Sequence, residues 1–136
     1  MAQSLSAIAL MVQDYDEAIA WYTGILGFRL VEDTDMGEGK RWVRVGPKGP
    51  KDEVSGMCFL LAKAVNEQQR ASVGNQAGGR VFLFLDTDDF ARDYADYRAK
   101  GVEFEEEPRH EAYGDVAVFR DLYGNRWDLV ERRGTP

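Results

Sequence analysis

The chain has 136 residues, of which 44% are hydrophobic and 12% aromatic, so it can form a buried core and is neither disordered nor fibrous. Its net charge of -7 and pI near 4.7 have the wrong sign for nucleic acid or anionic lipid, so we expect neither nucleic acid nor membrane as a partner. One cysteine and one histidine exclude an internal disulfide and a zinc-finger cluster, and favour a reducing, cytoplasmic location.

The first part of the chain predicts a βαβββ module over residues 1–62. Residues 1–13 carry no charge but lack the basic start of a signal peptide, so we expect them to contain a buried first strand. Asp14 is a suitable helix N-cap, apolar residues recur at helical spacing from Tyr15 to Leu26, and Gly27 suits a left-handed helix end. Three further strands are predicted at 28–32, 41–45 and 57–61.

The pattern then repeats after a predicted linker at 63–79, which contains a candidate short helix at 66–73. The second module, residues 80–136, begins with a strand at 81–85, cap candidates Asp88 and Asp89, and a helix before Gly101. Strand-like runs follow at 102–105, 109–113, 116–120 and 126–131. A unit of this size cannot bury both faces of its sheet, so we expect an α+β fold of two tandem βαβββ modules whose curved sheets pair to enclose a cleft.

Four segments also carry a resemblance to a known family: VQDYDEAIAWY at 12–22, ILGF at 25–28, KGV at 100–102 and FRDLYGNRWDL at 119–129. In this order, and with the internal repeat, they resemble the vicinal oxygen chelate superfamily, which includes glyoxalase I, extradiol dioxygenases and the bleomycin- and fosfomycin-resistance proteins. The resemblance covers nearly the whole chain and implies one domain built from both modules. It does not select an activity, because the superfamily contains several enzyme classes and pure binders.

Metal-dependent members of that superfamily place a histidine or carboxylate on the first and last strand of each module. The corresponding positions here are Ala7, Phe59 (or Cys58, one residue away), Phe82 and Asp128. One carboxylate cannot replace the three or four ligands of a catalytic metal site, so we expect no metal cofactor. The alternative is one divalent transition metal, in a glyoxalase-like lyase or isomerase or a dioxygenase-related enzyme whose other ligands are not recognised here.

Without a metal, the cleft becomes an apolar and aromatic pocket for a small molecule. We expect Phe59, Phe82 and Trp127 to supply its apolar surface. His110 and Tyr113 lie near a predicted turn, where they either line the rim of the same cleft or are simply exposed strand residues.

A charged ligand is a further alternative, because three notable residues share the strand at 41–45. We expect Arg41 and Arg44 to share one face of this strand and Trp42 to point the other way. If the arginine face is the inner one, it can bind a carboxylate or phosphate; if it is the outer one, it is a solvated edge.

Asp128 has two interpretations. A desolvated carboxylate in the cleft would have a raised pKa and could accept a hydrogen bond or proton from a ligand, which makes Asp128 the candidate catalytic residue. An ion pair with Arg41, Arg44 or Arg126 would instead make it structural.

The leading hypothesis is a homodimer that binds a small, aromatic or anionic molecule in an interface cleft. Whether it is an enzyme stays open, as does a helper domain that only mediates protein association.

Overall fold

The computed structural model of the chain describes residues 2–54 and 56–134. It divides into two units, residues 1–73 and 74–136, called here the first and second unit. The first contains β1 (Ala7–Val12), α1 (Tyr15–Gly24), β2 (Arg29–Gly37), β3 (Lys40–Gly46), β4 (Cys58–Lys63) and α2 (Glu67–Ser72). The second contains β5 (Val81–Asp86), α3 (Phe90–Ala99), β6 (Glu103–Phe104), β7 (Arg109–Glu111), β8 (Gly114–Arg120) and β9 (Arg126–Arg132). The predicted α+β class and the βαβββ repeat are confirmed, with the short β7 as an extra strand of the second unit.

Both sheets have the same topology. The strand order is β1-β4-β3-β2 in the first unit and β5-β9-β8-β6 in the second, where β7 also pairs with β8. The first and last strands of each unit pair in parallel, whereas the other pairs are antiparallel. The chain divides between Val73 and Gly74, within the predicted linker, so α2 belongs to the first unit.

Matching local signals begin and end α1 and α3. The carboxylates of Asp14 and Asp89 each accept a hydrogen bond from the backbone N–H three residues later, at 2.8 and 3.1 Å, and so satisfy a free N–H of the first turn. After the helices, Gly27 and Gly101 have φ of +76° and +90°, a region where glycine is favoured because it lacks a Cβ. Both predicted helix starts and both predicted glycine ends are therefore confirmed.

Each of these helices covers one face of its own sheet. In the first unit the ring of Tyr22 on α1 lies 6.0 Å from that of Phe59 on β4. In the second unit the ring centroid of Phe119 on β8 lies 5.6 Å from that of Tyr97 on α3. The same ring stacks on Trp127 of β9, with 5.5 Å between the centroids. The side of each sheet that faces away from α1 or α3 is called here its helix-free face.

A tight turn at 121–125 joins β8 to β9. The carboxylate of Asp121, which is 6% exposed, accepts hydrogen bonds from the backbone N–H groups of the three residues from Tyr123 to Asn125. It also accepts from the side-chain amide of Asn125 and from the indole N–H of Trp127. The sequence predicted this turn, but it did not predict the bond to Trp127.

Among the residues described, no helix is both long enough and apolar enough to cross a lipid bilayer.

Candidate functional site

Asp128 lies in the middle of β9, on the helix-free face of the second sheet. Its register partners are Phe84 on β5 and Val118 on β8. Phe84 is 64% exposed, whereas Val118 is buried. The Oδ1 atom of Asp128 is fully buried and has no hydrogen-bond partner among the described residues. A buried acceptor without a donor is costly, so this oxygen is suited to receive one from a bound molecule.

The charges near Asp128 leave its carboxyl unpaired. Burial raises the pKa of Asp128; the positive charge of Arg109 opposes this shift, and the negative charge of Glu106 adds to it. Arg109 is bonded to Glu106 at 2.9 Å, and Arg126 forms a two-pronged pair with Glu105 at 2.9 and 3.0 Å. Arg126, which the sequence offered as an ion-pair partner, therefore forms its ion pair with Glu105, and its positive charge lowers the pKa of Asp128 without a hydrogen bond between them. Of the two interpretations of Asp128, this environment matches the desolvated carboxylate.

The first unit has a pocket of about 390 Å³ at the end of the sheet where β1 and β4 finish. Its apolar lining comes mainly from the helix-free face and the segment after β4: Met11, Trp42, Leu60, Ala62 and Val65. Trp42 is 40% exposed there. The volume falls in the range of small-molecule sites, about 300–1,000 Å³.

The polar lining of this pocket comes from the β2–β3 turn, the end of β4 and α2. It includes Glu38, Lys40, Lys63 and Gln69, with Arg41 and the phenol of Tyr15 beside them. Met11, Leu60 and the two lysines are not predicted from the sequence. Strand parity could have found the first two, since Met11 is four residues after Ala7 and Leu60 is two after Cys58.

The prediction that Arg41 and Arg44 share a face is wrong. They are three residues apart in β3, and side chains alternate with a period of two, so Arg44 lies on the face of Trp42. Arg41 lies on the α1 face, 2.9 Å from Asp16 and 2.7 Å from Asp33.

The two arginines are also already neutralised. Arg44 pairs with Glu32 at 3.0 Å. Hydrogen bonds to these carboxylates raise the pKa of both arginines, so each guanidinium stays charged and paired. Neither is free to be the main anchor of an anionic ligand, as the sequence analysis had suggested.

Two of the aromatic residues predicted to line the cleft belong to the core instead. Phe59 is 5% exposed and Trp127 is 2% exposed, because alternation along β4 and β9 turns both toward the helices. The corresponding prediction is wrong for these two. Phe82 is half-buried and lies where the β5–β9 register shifts, and its role stays a prediction.

His110 and Tyr113 lie at the exposed β7–β8 hairpin. The His110 ring is 73% exposed, and its Nδ1 is 2.7 Å from Asp115, which also pairs with Arg133 at 3.0 Å. Tyr113 is 52% exposed. These contacts tie the hairpin to the segment after β9, and a ligand role for either residue stays a prediction.

Known proteins share this architecture over nearly its whole length. The sequence model described as the Glyoxalase/Bleomycin resistance protein/Dioxygenase superfamily matches residues 4–129. The chain belongs to this superfamily. The family resemblance drawn from the sequence is thereby confirmed.

Three relatives illustrate the range of the superfamily around this chain. An uncharacterized protein of Shewanella frigidimarina (strain NCIMB 400) is 53% identical over 132 residues, which cover 96% of this chain and 95% of the relative. The crystal structure of UcmS2 matches with a TM-score of 0.79 and 32% identity, over 96% of this chain and 99% of that one. TnmS3, an antibiotic binding protein from Streptomyces sp. CB03234, matches with a TM-score of 0.75 and 26% identity, over 96% of this chain and 97% of that one.

The residues at the superfamily's metal positions do not fit a metal ion. Ala7 and Cys58 are register partners, so the second metal position of the first unit corresponds to Cys58 and not to Phe59. The Cys58 thiol is buried and donates to the Ser6 carbonyl at 3.4 Å. Across residues 2–54 and 56–134, no three His, Cys, Asp or Glu side chains group closely enough to hold a metal. With Asp128 as the sole hard ligand at these positions, the donor set does not match a superfamily metal centre.

The raised pKa of Asp128 predicts a pH effect on stability. The carboxyl of Asp128 holds its proton more tightly in the folded protein than in the unfolded chain, where its pKa is near 3.8. The free energy of unfolding therefore falls as the pH rises through the folded-state pKa. Asp128→Asn cannot ionise, so we expect it to have a higher Tm than the wild type at about pH 7 and a similar Tm near pH 4. Thermal unfolding across this range measures the difference.

Asp115→Asn is a control of opposite sign. Hydrogen bonds from His110 and then Arg133 lower the pKa of Asp115, so its ionised form stabilises the fold above the unfolded value, and this stability is lost as pH falls through the folded pKa. This variant should have a lower Tm than the wild type at neutral pH. A Tm difference between Asp128→Asn and wild type that did not change with pH would contradict the assignment.

Proposed function

We propose that this protein binds a small aromatic organic molecule without a transition metal, and holds it rather than transforming it. The relative TnmS3 is described as an antibiotic binding protein, which supports a binding role. Each unit, taken by itself, has an exposed aromatic side chain on its helix-free face: Trp42 in the first unit and Phe84 in the second. The poor match of the donor set at the metal positions also favours a binder over a metal-dependent lyase, isomerase or dioxygenase.

One observation carries the proposal. The buried Oδ1 of Asp128 has no donor among the described side chains and backbone groups, and the exposed ring of Phe84 is its neighbour on β5. A ligand that stacks on Phe84 and donates a neutral O–H or N–H group would cover the ring and satisfy the oxygen. This would recover the cost of burying an unpaired acceptor, about 1–3 kcal/mol.

The proposal is tested by thermal shift against a broad panel of planar aromatic natural products and metabolites, followed by calorimetry on compounds that stabilise the wild type. We expect Asp128→Asn to weaken binding of such a compound at least about tenfold, or 1.4 kcal/mol, because the amide presents donors where the ligand needs an acceptor. Asp88→Asn, at a site 87% exposed, is the matched control and should bind like the wild type. A panel without any stabilising compound would reject the proposal.

Metal analysis of protein purified without chelator separates binding from metal-dependent catalysis. We expect less than about a tenth of an equivalent of transition metal, and ligand binding that is unchanged by EDTA. Near-stoichiometric zinc, nickel or iron would favour the lyase, isomerase or dioxygenase alternative.

The homodimer and the cytoplasmic location stay predictions. The edge strand β2 is consistent with a partner chain, because it is exposed along most of its length and carries the exposed apolar residues Leu30, Val31 and Met36.

A further inference from the structure

The pocket of the first unit combines an apolar floor with an aromatic wall. Met11 lies one residue before the end of β1 and Leu60 three residues before the end of β4, and both belong to the same face as Trp42 on β3. Trp42 is 40% exposed, so part of the largest apolar side chain in the lining is left uncovered. Aromatic rings favour offset-stacked or edge contacts with such a surface, and a planar ligand would bury it.

The side chains that line this pocket include more basic than acidic groups. Lys40 and Lys63 line it, and neither forms a salt bridge with a described residue, whereas Glu38 is the sole acidic residue of the lining. Arg41 contributes little free charge because Asp16 and Asp33 already pair with it. Besides Arg41, the lining therefore carries two positive charges without an ion-pair partner among the described residues and one negative charge.

The side-chain amide of Gln69 adds hydrogen-bond donors to the lining. The Oε1 atom of Gln69 accepts the backbone N–H of Val65 at 2.8 Å, so the acceptor of this amide is used and its NH2 group has no protein partner within the described residues. Together with the two ammonium groups, the lining offers donors that a ligand must match with acceptors.

We propose that this pocket binds a planar aromatic carboxylate, with its ring against Trp42, Met11 and Leu60 and its carboxylate directed to Lys40 and Lys63. The inference rests on the proposed function in that the protein binds aromatic molecules, and it goes beyond it by assigning an aromatic anion to the first-unit pocket rather than to Asp128 and Phe84. The anionic ligand considered from the sequence is retained, but lysines of the β2–β3 turn and the end of β4 replace the two arginines as its anchors. Cationic aromatic compounds are disfavoured by the same charges.

The test compares 2-naphthoate with its neutral amide, 2-naphthamide, by calorimetry on the full chain. We expect the double variant Lys40→Gln/Lys63→Gln to weaken 2-naphthoate binding about fivefold and to leave 2-naphthamide binding unchanged, since partly exposed ion pairs contribute modestly. The preference for the anion should also decrease at high salt. Lys51→Gln, at an exposed lysine outside the pocket, is the matched control.

A second variant locates the ring. Trp42→Ala should weaken both compounds about tenfold while its circular dichroism and Tm stay close to the wild-type values, because the side chain is partly exposed. Equal affinity for the two naphthalenes, or wild-type affinity for 2-naphthoate in either variant, would reject the inference. If neither naphthalene binds while a panel compound does, the aromatic-anion assignment fails and the proposed function stands. If nothing binds, both fail.

Discussion

Replacing Asp121 with alanine should lower the free energy of unfolding by about 4 kcal/mol. This carboxylate accepts hydrogen bonds from three backbone N–H groups, from the side-chain amide of Asn125 and from the indole of Trp127, all within the second unit. Alanine leaves these donors without an acceptor at a site that is almost fully buried. Unfolding by urea, followed by circular dichroism, measures the loss as a lower midpoint at an unchanged m-value.

Two further variants define the origin of this loss. Asp121→Asn keeps the shape and one acceptor oxygen, but it presents an NH2 group to donors, so we expect a loss of about half the alanine value. Asp88→Ala removes an exposed carboxylate that pairs with Arg92 at 2.9 Å and should cost less than about 0.5 kcal/mol. A loss below about 1 kcal/mol for Asp121→Ala would show that water replaces the carboxylate at the turn.

Trp127→Ala should destabilise the protein by about 3–5 kcal/mol, because it removes a large buried side chain and leaves a cavity under α3. The indole is 2% exposed, stacks on Phe119 at 5.5 Å and donates its N–H to Asp121 at 3.1 Å. Urea unfolding measures the loss, and a double-mutant cycle with Asp121→Ala should give a coupling of about 1–2 kcal/mol for this bond.

Trp42→Ala is the matched control for the same residue type. Its side chain is partly exposed on the helix-free face, so we expect a stability loss below about 1 kcal/mol. The two tryptophans should therefore have different roles: Trp127 is required for stability and Trp42 for ligand affinity. A Trp127→Ala protein with near wild-type stability would return Trp127 to the list of binding residues.

The sequence predicted the fold better than the site because the fold signals are local. Asp14 and Asp89 cap their helices through bonds to residues three positions away, and Gly27 and Gly101 take the left-handed backbone conformation at the helix ends. Such interactions depend on spacing along the chain, which can be read directly.

The site depends on strand parity and on partners that are distant in sequence. The face of Phe59 is set by its register with Val45 on β3 and by its contact with Tyr22 on α1. Arg41 and Arg44 are three residues apart, so strand alternation puts them on opposite faces, and the prediction of a shared face is wrong. Their neutralisation by Asp33 and Glu32 depends on the β2–β3 register, which composition does not give. The unpaired Oδ1 of Asp128 could likewise not be predicted without knowing that Arg126 pairs with Glu105.

The parallel pairing of first and last strands has a consequence for synthesis of the chain. Ala7 pairs with Cys58, and Val81 pairs with Arg126, so β1 and β5 cannot pair until β4 and β9 have been synthesised. Each sheet is therefore completed only when the last strand of its unit emerges from the ribosome. At usual translation rates, β1 and β5 remain unpaired for roughly 3–10 s. Both are apolar segments, AIALMV and VFLFLD, so these two strands are where nascent chains would associate with one another or with chaperones. The architecture therefore places the largest risk of misfolding at the beginning of each unit, although the contacts that remove it form at the end.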